Sequence, residues 1–172
     1  MDPVSLTLTI GPLILKAAAI VKQCRDIQSR VQSAPNTLAS IISQCNGVNH
    51  VLLEVQNLGL QDMSYIDDQR RESFINEVDN ISVGCTNTLA AIEKHIQNFE
   101  SDAVIIGPMR KLGLKDKVKI ASMEEDVQRL LQKLGGYQLT IANELLLIQM
   151  SVLPMLLKSS RMRNDIHLIL DR

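Results

Sequence analysis

The residues best able to do chemistry are three histidines, His50, His95 and His167, and three cysteines, Cys24, Cys45 and Cys85. A zinc or di-iron centre needs His, Cys, Asp or Glu at ligand spacing, typically within one or two helical turns of each other. The histidines stand on separate segments, each without such a neighbour pair. The cysteines lack the spacing of a metal knuckle or a disulfide framework, and each falls on an apolar periodicity, where it reads as a small buried hydrophobe with its thiol reduced. No phosphate-binding glycine loop, dinucleotide fingerprint or nucleophile elbow occurs; Gly135-Gly136 sits inside a helical pattern. The sequence therefore predicts no catalytic residues, no metal, no cofactor and no small-molecule substrate. A formal net charge of −1 argues against a generic nucleic-acid binder.

A second set of charged residues has a different use. Between 101 and 121 the chain carries Arg110, Lys111, Lys115, Lys117 and Lys119 against Asp102 and Asp116, with Gly107, Pro108 and Gly113 as breakers. This basic connection reads either as a solvated linker or as a contact for anionic lipid headgroups. An acidic cluster, Asp62, Asp67, Asp68, Glu72, Glu77 and Asp79, precedes it.

The elements that position these groups are helical. With 45% apolar residues but only 2% aromatic, the core must be aliphatic, as in helical bundles. Apolar positions recur at three and four in four long stretches. The first is Leu13, Ala17, Ile20, Cys24, Ile27 and Val31; the second, after the break at Ala34-Pro35, is Leu38, Ile41, Cys45, Val48, Leu52 and Val55. The third opens at Asp67-Asp68, where acids suit a helix N-terminus, and runs Phe74, Val78, Ile81, Cys85, Leu89, Ile92, Ile96 and Phe99. The fourth begins at Ser122 with Glu125 as a capping box and runs Met123, Val127, Leu130, Leu134, Tyr137, Ile141, Leu145 and Ile148. From Ile141 it is apolar nearly all round, which predicts burial on more than one side. Pro154 ends or kinks it, and 154–172 is expected to form a shorter C-terminal helix or linker. The fold class is all-α: a single helical bundle of four long helices plus a shorter C-terminal helix, as one domain over 1–172.

The opening stretch is the most unusual. Val4, Leu6, Leu8 and Ile10 alternate with polar residues in a strand-like period, but Asp2 as N-cap with Pro3 in the first helical position predicts a helical first turn or two. A kink at Gly11-Pro12 and a long second segment follow, with Leu13, Ile14, Leu15, Ile20 and Val21 and with Lys16 as the one charge between Asp2 and Lys22. The run lacks the basic start and the cleavage site of a secretory signal. It is also shorter than the roughly 20 uninterrupted apolar residues of a permanent membrane span.

The start MDPVSLTLTIGPLILKAAAIVKQCRDI, the stretch MRKLGLKDKVKIASMEEDVQRLLQKL and the Leu-rich helix after it resemble the HeLo-like N-terminal domains of fungal STAND (NOD-like) receptors, over most of the chain to about Val152. The chain departs from that pattern in having no aromatic residue in its basic segment and in its Gly11-Pro12 pair. The resemblance implies a helical-bundle effector of programmed cell death and heterokaryon incompatibility. Such a domain is cytoplasmic at rest, is engaged by a receptor or amyloid-signalling partner, oligomerises on activation and permeabilises the plasma membrane. It further implies that Val4, Leu6, Leu8, Ile10, Leu13, Ile14, Leu15, Ile20 and Val21 belong to the inserting segment, and that the chain is an excised domain or a stand-alone short form. The alternative is a homotypic interaction module, an adaptor bundle without membrane activity.

Overall fold

The computed structural model describes residues 3–30, 36–60, 66–105 and 124–151. These are helical apart from the lead-in to the third helix, and no strand occurs among them. Helix α1 spans Pro3–Arg30, α2 Asn36–Leu60 and α3 Asp68–Ile105; α4 covers 124–151. The 38 residues of α3 make a rod of about 57 Å at about 1.5 Å per residue.

Each helix forms where its apolar stripe finds a partner. The expected seams of α1, α2 and α3 are buried at every position whose side chain is described, from Leu13 to Ile27, Leu38 to Val55 and Phe74 to Ile96. Together with Val127, Leu131, Leu134, Ile141, Leu145 and Ile148 of α4 they form one aliphatic core. The start of α3 is fixed by Asp67, whose Oδ1 accepts the Arg70 backbone N–H at 2.9 Å and whose carbonyl accepts that of Arg71 at 3.0 Å. The first satisfies a donor that the first helical turn leaves open, and the second is the first bond of the helical ladder.

Helix α1 packs along both α2 and α3. Helix α4 meets the same two from the other side. Thr37 of α2 donates to Glu124 at 3.2 Å and Gln44 Nε2 donates to Gln138 Oε1 at 2.8 Å, so α2 and α4 run parallel. Gly84 of α3 abuts Tyr137, and the first turns of α3 lie beside Glu144 to Ile148, so α3 and α4 are antiparallel. Directions alternate along the chain, and the helices succeed each other around the core as α1, α2, α4, α3.

The helical start expected at Pro3 is present, and three other expectations are corrected. Residues 3–10 are helical, and the helix buries Ile10, Leu13 and Ala17 on its inner side. Helix α1 is one element through Pro12. Pro12 lies on the exposed side with Leu8 one turn before it, where water can meet the Leu8 carbonyl that the ring deprives of its donor. Helix α3 continues to Ile105, into the segment expected to be connection from 101, since no breaker occurs before Gly107-Pro108. Within the described residues the end of α4 turns one stripe to the core and is not buried all round: Leu146, Leu147 and Met150 are exposed. The expected C-terminal helix at 154–172 lies outside the described residues.

Candidate functional site

Helix α1 carries two apolar faces at its N-terminal end. The inner one, Ile10, Leu13, Ala17, Ile20 and Val21, belongs to the core. The outer one runs through Leu8, Pro12, Leu15 and Ala19 at intervals of four, three and four, with Ala18 beside it, all exposed. Leu8 and Leu15 are each 72% accessible. The same line continues as Lys22, Asp26 and Ser29, so the outer face changes from apolar to polar about two thirds of the way along the helix. Removing the two exposed leucines from water is worth about 1.5–3 kcal/mol each.

Lys16, the one charge on this half of the helix, does not face open water. Its Nζ lies 3.3 Å from Glu93 Oε2 of α3, with the two side chains 29% and 31% exposed. The ion pair joins the apolar part of α1 to the longest helix of the bundle.

The nine residues assigned to the inserting segment are thus divided by the fold. Leu8 and Leu15 are exposed, Ile14 is partly buried against the core, and Ile10, Leu13, Ile20 and Val21 are core residues. The side chains of Val4 and Leu6 lie outside the description, as do Arg110, Lys111, Lys115, Lys117 and Lys119. Sequence patterning misses the outer stripe, although Leu8, Pro12, Leu15 and Ala19 show the helical spacing once the helix is known to pass through Pro12.

The groups with catalytic potential are not brought together. His50 is exposed on α2 and His95 is half-buried on α3. Among the described residues no set of three His, Cys, Asp or Glu could hold a metal ion. Cys24, Cys45 and Cys85 are buried free thiols. Burial pushes Cys24 up from 9.0 to about 11 and Cys85 to about 12; Cys45 also reaches about 12, from burial first and the neighbouring Cys24 second. A thiol held protonated in this way is a poor nucleophile. No helix among the described residues is long and apolar enough to cross a membrane.

Family models, curated proteins and solved structures, each compared with the chain, gave no match. What the described residues define is an all-α bundle of four helices whose first helix is apolar on two sides.

Proposed function

We propose that this chain is a signalling effector of cell death, of the HeLo-like kind, that oligomerises on activation and works on the plasma membrane through α1. The observation that supports the reading is the outer stripe of Leu8, Pro12, Leu15 and Ala19 on a helix whose inner face is also apolar. A helix serving only as one wall of a bundle needs a single apolar stripe.

At rest, in the cytoplasm, the inner face of α1 is covered by α2 and α3. A receptor or amyloid-signalling partner brings copies together, and α1 leaves the bundle. Exposing Ile10, Leu13, Ile20 and Val21 costs about 1.5–3 kcal/mol per side chain, which burial in lipid or against neighbouring copies offsets. Because α1 falls short of a lone span, it works in the company of other copies and at the boundary of headgroups and acyl chains. Arg110, Lys111, Lys115, Lys117 and Lys119 meet anionic headgroups, at about 1 kcal/mol for each residue close to a charged surface. Residues 154–172 complete the domain as a short fifth helix. The reading involves no enzymatic step, cofactor, small-molecule substrate or nucleic acid.

Dye release from vesicles containing anionic lipid tests it. The full chain is expected to release dye, and Leu8→Asp with Leu15→Asp, both outside the core, to abolish release while leaving the helical content unchanged. A folded, oligomeric chain that releases no dye would instead be the homotypic interaction module.

A further inference from the structure

Helix α4 has an outer face of its own. Leu139, Leu146, Leu147 and Met150 are exposed and lie, with the exposed Asn143, on one side of the helix. Near the end of α4 this face adjoins an open cleft of about 470 Å³ between α4 and the start of α3, lined by Leu147, Ile148, Ser73 and three charged residues, Asp67, Glu144 and Arg70. A set of large apolar side chains beside such a cleft is the usual form of a covered surface seen without its cover.

We propose that the cover is the C-terminal segment of this same chain, residues 155–170, folded back along α4. Four features of the chain point to this occupant. The segment begins a few residues beyond Met150, so its encounter with the face is intramolecular and its effective concentration is high. Pro154, at the junction, has no N–H with which to continue the ladder of α4 and its ring turns the chain aside. Met155, Met162, Ile166 and Ile169 recur at seven, four and three, one side of a helix, flanked by Lys158 and Arg161 as counterparts for Glu144 and Asp67. The segment is also long enough: Leu139 to Met150 covers about 18 Å of α4, and 155–170 as a helix covers about 24 Å, enough to span the face. The docking does not depend on any action at a membrane.

Hydrogen exchange on the full chain tests the docking. Peptides within 155–170 are expected to exchange at least tenfold more slowly than an unstructured segment, independently of protein concentration. Leu146→Asp with Met150→Asp is expected to remove that protection. Lys158→Glu with Arg161→Glu, on the segment itself and so harmless to the bundle, is expected to reduce it. Val83→Asp, at an exposed position on α3, is expected to leave it intact, and protection within α2 reports that each variant is folded. Exchange of 155–170 at the unstructured rate in the unsubstituted chain overturns the proposal, as does protection that survives the α4 substitutions. Protection that appears only as concentration rises also overturns it, and assigns the face to a second copy.

Discussion

Lys16 Nζ lies 3.3 Å from Glu93 Oε2, and this pair holds the apolar half of α1 to the middle of α3. Both side chains are about one-third exposed, so the attraction is weakened by water and by salt. Glu93→Gln is expected to lower stability to urea by no more than about 1 kcal/mol. Its larger effect is local: amides of α1 should exchange faster while those of α2 do not. A double-mutant cycle with Lys16→Met should place the coupling in the pair, and that coupling should shrink as ionic strength rises.

The glycines of the bundle separate into those that permit close approach and those that do not. A Cβ on Gly84 would stand 2.6 Å from Cζ and Oη of Tyr137, a stiff ring packed against the core. Displacing it costs about 1–3 kcal/mol, more than the 0.8–1 kcal/mol or so that alanine gains in a helix. Gly84→Ala should therefore destabilise. At Gly136 a Cβ would meet nothing within 4 Å, so only the gain is left. Gly136→Ala should raise stability by about 0.5–1 kcal/mol, and thermal unfolding of the two variants should shift in opposite directions.

Asp67 caps α3 through its side chain. Asp67→Ala should cost about 1 kcal/mol, and Asp67→Asn, which keeps the accepting oxygen, much less. Urea unfolding of the two variants checks the difference.

The buried thiols make the fold sensitive to alkali. An unfolded chain releases thiol protons near 9.0, whereas the folded one holds them to about 11 at Cys24 and about 12 at Cys45 and Cys85. Above pH 9 the unfolded state carries fewer protons than the folded state, so the contribution is complete below pH 9. It is lost as pH rises from there towards 11 and 12, by up to about 1.4 kcal/mol per pH unit for each thiol. Cys85→Ala should make the fall shallower over that window, as followed by urea unfolding at several pH values.

The seams of three helices are legible in the sequence because aliphatic residues there have only one role. Ala17, Cys45 and Leu89 repeat at helical spacing, and each is fully buried. The N-terminus of α3 is legible for the same reason, since Asp67 has a local bond to make. What composition does not reveal is which side of an apolar stretch faces inward. Leu145 and Leu146 are neighbours of the same type, yet one is core and the other exposed, a difference set by where α2 and α3 stand. Spacing favours Leu130 over Leu131, whereas the structure buries Leu131 and only partly covers Leu130. The polar contact of Gln44 with Gln138 leaves no signal, because it joins residues far apart in the chain. The outer stripe of α1 is hidden by Pro12, which reads as an interruption and is instead part of the exposed face.

In the proposed function, the outer face of α1 enters the lipid boundary. Leu8 is exposed and the native thiols are buried and protonated, so Leu8→Cys can be labelled selectively with an environment-sensitive fluorophore. On adding vesicles with anionic lipid and triggering assembly, the emission should shift to the blue and be quenched by brominated acyl chains, with the same time course as dye release. A probe at residue 8 that stays water-exposed and unquenched while the vesicles leak would contradict the account.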